Sequence, residues 1–400
     1  MALIFLNRFY WPDEPATAQL LADLAEALAA AGGQVVVITS HNRRPGIPRE
    51  EVRRGVTIYR IRGTRIGAKS LAGRAVDFAT FALGALARLA RTAGPADTVV
   101  AMTDPPLLAI AAAALARGRG ARVVHWVQDV YPEVAVALTG RTWPELFRPL
   151  RDRAWRRADA CVAPGEDMAG LIAGRGVKKV VIIPNWAPAG LAPAAAGILR
   201  ETWGLQGKFV AIYSGNLGRV HDLMPLLDAA AALRDAPDIA VVFVGEGAQR
   251  PALEAAARKR GLGHVHFFPP QPRERLAETL SLGDVHFVTL RPGCEPCVFP
   301  SKLYGIAAVG RPVLFVGSRD CALARLVEGR QLGLAFSREE MPRLAAEIRA
   351  LRDDPGRRRA LGEAAAKFHR EAGGIERAVA AWQKILQAGS GLSEGKTAAG

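Results

Sequence analysis

Phe209-Val210-Ala211-Ile212-Tyr213-Ser214-Gly215-Asn216-Leu217-Gly218-Arg219-Val220-His221-Asp222 is the stretch that decides the fold. Its first five residues form an apolar, β-leaning run that reads as a buried strand. A turn with two glycines and an arginine follows, then an amphipathic stretch from Leu223 to Leu233. Strand, loop and helix in that order are one βα unit of a parallel sheet. Gly215 and Gly218 let the backbone approach a ligand, the amides that open the next helix suit an anion, and Arg219 adds a planar fork of donors. The plainer reading is a tight βα turn with Asp222 as helix cap.

The same alternation extends in both directions. Upstream, strands are expected near 2–7, 35–39, 56–61, 98–102, 122–127, 160–163 and 180–183, with helical stretches between them. Downstream they are expected near 239–244, 264–268, 285–289, 312–316 and 332–335. Repeated strand and helix predict parallel sheets covered on both faces, with ligands at the carboxyl ends of the strands. The Ala/Pro/Gly-rich segment after Asn185-Trp186 reads as a linker. The expected organisation is therefore an N-terminal unit over 1–186, a linker over 187–207 and a C-terminal unit over 208–373. A helix over 374–389 and a disordered tail over 390–400 complete it.

Composition narrows the class of function. Half of the 400 residues are apolar, enough for two domains with real cores, and the formal charge of +15 asks for an acidic partner. The arginines are scattered rather than interleaved with aromatics, which argues against nucleic acid. Four cysteines make no disulfide framework for a chain of this size, so a reducing cytoplasm is expected. Cys294 and Cys297 form a lone C-x-x-C without a second ligand pair, so no metal is expected. The apolar stretch 71–90 carries Arg74, Asp77 and Arg88, so it reads as a core or surface helix and not as a membrane span.

A second anion-type element follows the strand near 285–289: Glu295, then Phe299-Pro300-Ser301-Lys302 at the start of a helix. A lysine in the first turn opposes the helix dipole, a poor structural choice that a bound anion would reverse. With Ser301 as cap, Lys302, Arg219 and the amides of 215–219 could neutralise a diphosphate without a metal, and Glu295 could accept hydroxyl hydrogens from a sugar. In the first half, the polar residues after strands are the candidates for holding a second substrate. Asp129 is the leading one because it follows a strand and precedes Glu133; Asp104 and His125 are the others. Their plainer readings are a loop cap, a turn cap before Pro105 and a core histidine.

The pairing of Ser214-Gly-Asn-Leu-Gly-Arg219 with Glu295 and with Pro300-Ser301-Lys302 through Gly310-Arg311-Pro312 resembles glycosyltransferase family 4, in its exopolysaccharide and O-antigen branch. The resemblance also takes in Phe5 to Pro12, Thr103 to Pro106, Trp126 to Glu133 and Ile183 to Trp186. It implies the GT-B arrangement of two facing Rossmann-like domains and a metal-independent transfer with retention at the anomeric carbon. The sugar nucleotide would bind the C-terminal domain and the acceptor the N-terminal one. By that resemblance Gly215, Asn216, Gly218, Arg219, Ser301 and Lys302 hold the diphosphate. Glu295 holds the sugar, and Gly245, Glu246 and the loop from Pro269 through Pro270 flank the nucleoside. Asp129, Glu295, Arg219 and Lys302 are then the expected catalytic set, with Tyr10, Trp11, Asp104, His125, Glu133 and Asn185 on the acceptor side. One departure stands out: Cys297 and Gly305 occupy the places of the glutamate pair common in the family, and Glu295 reads as a shifted substitute. No cofactor is expected beyond the nucleotide sugar. The charge suits a lipid-linked or oligosaccharide acceptor at the anionic inner face of the cytoplasmic membrane, touched through residues 43–74 and the helix from Leu71. The alternative on the same architecture is a non-hydrolysing sugar-nucleotide epimerase, for which the C-terminal loops offer mainly Glu246, Glu295 and His221.

Overall fold

The computed structural model describes residues 1–41, 46–64, 66–67, 71–105 and 107–387, with the side chains of 71, 72 and 74 excepted. The expectations for Arg43, Arg44, Arg65, the Arg74 side chain, Pro106 and the tail 390–400 lie outside the described residues.

Two sheets organise the chain. The first contains β1 (Ala2–Leu6), β2 (Gln34–Ser40), β3 (Glu50–Arg53), β4 (Val56–Ile61), β5 (Thr98–Met102), β6 (Arg122–Trp126), β7 (Ala160–Ala163) and β8 (Val180–Ile182), in the order β3-β4-β2-β1-β5-β6-β7-β8. The second contains β9 (Phe209–Ser214), β10 (Ile239–Val244), β11 (Val265–Phe268), β12 (Val285–Thr289), β13 (Val313–Val316) and β14 (Gly333–Phe336), in the order β11-β10-β9-β12-β13-β14. Pairing is parallel except for β3, a short edge strand antiparallel to β4. β3 went unseen because Glu50-Glu51-Val52-Arg53 is polar and lacks an apolar run. The continuous apolar strands β1, β5 and β10 are buried along their whole length, as two-sided coverage requires.

Strand order reverses between β1 and β5 in the first sheet and between β9 and β12 in the second. In open α/β sheets such switch points leave a crevice at the strands' carboxyl ends. The loops that flank these crevices begin at Asn7, Thr103, Gly215 and Leu290, the loops that the sequence marks as chemical.

Two boundaries differ from expectation. Residues 197–202, expected within a linker, form a helix that packs on the second sheet through Leu199, with Leu205 beside it and Arg200 paired to Asp284 at 2.9 Å. The helix Ile375–Gln387 returns to the first sheet: Ala378, Trp382, Ile385 and Leu386 join the core that holds Phe5 and Trp126. Trp382 meets Trp126 edge-on at 5.1 Å, and the Arg122 guanidinium donates to the Leu386 and Ile385 carbonyls. Among the described residues no helix is long and apolar enough to cross a membrane.

Candidate active site

The loop after β9 is shaped by backbone packed on backbone. Gly215 has φ +136° and Gly245, after β10, has φ +142°. A Cβ on Gly245 would stand 2.1 Å from the Gly215 carbonyl oxygen, and one on Gly247 would stand 2.4 Å from Leu217. Only glycine fits such contacts. Gln249 ties the turn from below, donating to the Gly218 and His221 carbonyls at 2.6 and 2.8 Å. Leu217 donates to the Glu246 carbonyl, while the N–H groups of Asn216, Gly218 and Arg219 donate to nothing among the described residues. These are amides held in place and left free for an acceptor.

Lys302 reaches this loop from the start of the helix Lys302–Ala308. Its Nζ would lie 3.3 Å from a Cβ on Gly215 and sits 3.5 Å from the centre of the Tyr213 ring. The ammonium is buried and has no hydrogen-bond partner. Burial holds its pKa well below the ordinary lysine value. A buried donor with three unmet hydrogens is costly, and an anion in the crevice would relieve that cost. Beside it, burial first and the Lys302 charge second hold His221 down at about 3, so the ring is neutral. Its Nδ1 carries the proton, because it lies 2.7 Å from the Thr289 carbonyl, which can only accept.

The remaining donor-side candidates are more dispersed. Arg219 is exposed and unpaired among the described residues. Ser301 makes no capping hydrogen bond, contrary to expectation. Asp222 is no cap either: the helix begins at Met224 without a side-chain cap, and Asp222 lies 3.6 Å from Arg338. Glu295 accepts from the Gly293 N–H at 2.7 Å and the Ser318 N–H at 3.2 Å, which fixes its loop and leaves lone pairs on both oxygens. Glu246 is exposed and paired to Arg250 at 2.7 Å, and Pro270 is exposed. Gly305 lies in an apolar wall, since a Cβ there would meet Leu280 at 3.2 Å and Leu191 at 3.7 Å.

On the facing domain the structure separates the candidates. Asp129 forms an isolated bridge to Val298 across the domains, and Val130 donates to the Cys297 carbonyl at 2.9 Å. Burial, then the neighbouring Asp104 charge, push Asp129 up to about 7; burial also raises Asp104, to about 6, against the pull of Arg8. Both carboxyls therefore take up a proton more readily than ordinary aspartates, chiefly because they are withdrawn from water. Arg8, stacked against Phe9 and Phe78 at 4.9 and 4.7 Å, supplies the nearby positive charge.

The other five acceptor-side candidates are each held by partners within the N-terminal unit. Tyr10 is 1% exposed and belongs to the core. Trp11 is covered by Arg53 at 4.0 Å near the β3 edge. His125 is buried inside its strand, where burial lowers it to about 4, so the core reading holds. Asn185 exchanges amide hydrogen bonds with Gln128 at 3.1 Å in both directions. Glu133, likewise, is enclosed by Arg151, Arg148 and Arg175 at 2.8, 3.3 and 3.5 Å. Burial opposes its charge, but Arg151 outweighs that and keeps the carboxyl below its ordinary value. Apart from His125, which lies within β6, these residues sit in motif-like runs, and their partners are visible only in the fold.

Sequence reading missed Tyr213 as a platform for Lys302, and Asp167, whose carboxylate accepts from the Ala322 N–H at 2.7 Å across the domains and lies 3.5 Å from Arg325. No local signal marks either one.

Residues 17–186 match the family described as a glycosyl transferase 4-like domain, and residues 198–368 match glycosyl transferases group 1. The chain belongs to the glycosyltransferases built from these two domains. This glycosyltransferase is 27% identical over 354 residues to the putative colanic acid biosynthesis glycosyl transferase WcaI of Escherichia coli K12, covering 82% of the chain and 86% of the relative. Among solved structures it superposes on the sucrose-phosphate synthase of Thermosynechococcus elongatus with a TM-score of 0.79 at 18% identity, covering 97% of the chain and 99% of the other. It superposes on Anabaena HepE in complex with UDP and glucose with a TM-score of 0.75 at 15% identity, covering 97% of the chain and all of the other. These likenesses show the GT-B fold.

Proposed function

We propose that this glycosyltransferase moves a hexose or N-acetylhexosamine from a nucleotide-diphosphate sugar to a lipid-linked saccharide in bacterial surface polysaccharide assembly, with retention at the anomeric carbon and without a metal ion. The observation that carries the reading is the Lys302 ammonium, buried, unpaired and set against the Gly215 loop. The WcaI likeness supports the polysaccharide setting, and the UDP and glucose bound by HepE support a nucleotide-sugar donor. Both domain families are transferases, which supports transfer over the epimerase alternative.

In this reading the donor diphosphate lies on the free amides of Asn216, Gly218 and Arg219 and pairs with Lys302, with the Arg219 side chain closing over it from the surface. The nucleoside runs toward Gly245, Glu246 and Pro270, and Glu295 takes the sugar hydroxyls on its spare lone pairs. The bond from the anomeric carbon to the diphosphate breaks and its electron pair leaves with the phosphate, where fixed cations and amides meet the new charge. The acceptor oxygen bonds to the same carbon and gives its proton to the Asp129 carboxylate, whose elevated value suits that task near neutral pH. Docking at the inner face of the cytoplasmic membrane would bring a lipid-linked acceptor to the Asp129 side.

The test is thermal stabilisation by a panel of nucleotide sugars, followed by turnover in chelator. Wild type should be stabilised by one of them and Lys302→Ala should not, while chelation leaves turnover intact. Equal stabilisation of both proteins, loss of turnover in chelator, or conversion of the sugar nucleotide to an isomer without acceptor would each sink the reading.

A further inference from the structure

The chain that follows Asp129 leaves the crevice through the helix Glu133–Thr139 and turns at Gly140, which has φ +66°. It then enters a helical rod: a 3-10 turn over Trp143–Phe147 runs directly into the α-helix Arg148–Arg157. One side of the rod is built into the domain through Arg151, Asp152 and Trp155. The other carries Trp143, Leu146, Leu150, Arg153 and Arg157, whose alternating steps of three and four residues place them on a single face. Trp143 is 60% exposed, Leu146 77% and Leu150 54%. Arg153 and Arg157 are exposed and have no ion pair or hydrogen bond among the described residues.

The local carboxylates do not balance this face. Glu145 is taken by Arg148, Asp152 by Arg151, and Glu133 by three arginines. An apolar ridge alone would suit any greasy partner, but unpaired arginines along the same stripe select an anionic one. The side chains project from the rod and do not line a groove, and an amphipathic tryptophan at the tip suits the boundary between water and acyl chains. The helix Leu71–Thr92 also exposes Leu83 at 69% and Val76 at 43%, but its Arg88 is tied to Glu50 and covers Tyr59.

We propose that the face formed by Trp143, Leu146, Leu150, Arg153 and Arg157 docks this protein on an anionic lipid bilayer, the apolar residues entering the headgroup layer and the arginines meeting lipid phosphates. Its role in delivering acceptor rests on the lipid-linked reading above, since the same short segment carries Asp129 and the docking face; the docking itself does not depend on turnover.

The experiment is co-sedimentation of the full-length protein with vesicles of phosphatidylglycerol and phosphatidylethanolamine, compared with phosphatidylcholine alone. Binding should be at least tenfold stronger to the anionic vesicles and should weaken as salt is raised. The triple variant W143S/L146S/L150S should lose at least tenfold, R153E/R157E a similar factor, and V76S/L83S less than twofold. Melting temperature and nucleotide-sugar stabilisation of each variant should match wild type, so a failed donor reading appears in that measurement and a failed docking face in the first. Wild-type vesicle binding by the triple or the arginine variant, or a loss that follows V76S/L83S instead, overturns the proposal. So does a dimer in sedimentation equilibrium that the triple variant dissociates, which would assign the face to a second copy.

Discussion

The Lys302 ammonium rests 3.5 Å from the centre of the Tyr213 ring without a single hydrogen-bond acceptor. The ring face offers some attraction, but an unmet buried cation still costs on the order of 1–3 kcal/mol. Lys302→Met should therefore raise the stability of the empty protein by about 1 kcal/mol while abolishing stabilisation by nucleotide sugar. The sign with pH follows from the lowered value. Below the ordinary 10.5 the unfolded chain holds the proton more tightly than the folded one, so this lysine makes stability rise with pH up to about that point. Denaturant melts of the two proteins between neutral and alkaline pH check both statements: the variant should lack the rise.

Asp129 and Asp104 act in the opposite sense. Both carboxyls are raised, so between their ordinary 3.8 and about 7 the folded chain holds more protons than the unfolded one, and stability falls as pH rises through that window. Asp129→Asn should flatten the fall. It should also lower kcat by roughly 10²–10⁴-fold, the range for a lost general base, and remove the rise of wild-type rate across pH 6 to 7. An unchanged pH profile in the variant would take Asp129 out of the chemistry.

Glu133, enclosed by three arginines, should govern stability and not catalysis. Its side chain is 13% exposed and that of Arg151 6%, so removing the carboxylate takes the two-toothed partner from a buried guanidinium and leaves it only Asp152 and the Tyr131 carbonyl, each at 2.7 Å. Glu133→Ala should cost about 3–5 kcal/mol in urea unfolding. Glu133→Gln should recover part of it, and the surviving folded fraction should keep its affinity for nucleotide sugar.

Gly245 tests the backbone architecture of the donor loop. Gly245→Ala sets a methyl 2.1 Å from the Gly215 carbonyl at φ +142°, so the loop must move. Nucleotide-sugar stabilisation should disappear and the melting temperature should drop by several degrees. Gly263→Ala, which meets nothing within 4 Å, serves as the control and should bind as wild type.

How far the sequence could be read depends on how far each signal reaches along the chain. Apolar runs and glycine punctuation are local, so every strand but the polar β3 was legible, as were the loops after β9 and β12. Lys302 was legible too, because a cation at a helix start conflicts with the dipole. What a side chain touches across the fold leaves no local trace. Glu133 and Asn185 sit in motif-like positions yet are consumed by Arg151 and Gln128, and Tyr213 reads as one more apolar strand residue until Lys302 is seen over its ring. Residues 197–207 looked like linker because proline, alanine and glycine dominate the run before them, while the buried Leu199 and Leu205 that attach them to the second sheet are only two positions.

The return of Trp382 to the first sheet means that the polypeptide passes between the lobes twice, once near Ala187 and again near Gly373, and the Ala187 N–H donates to the Gly373 carbonyl at 3.1 Å where the two passages meet. The lobes are thus laced along both margins of the cleft, by the crossing chains on one side and by the Val130-to-Cys297 and Ala322-to-Asp167 bonds on the other, so Asp129 and Lys302 are braced by the same stitching.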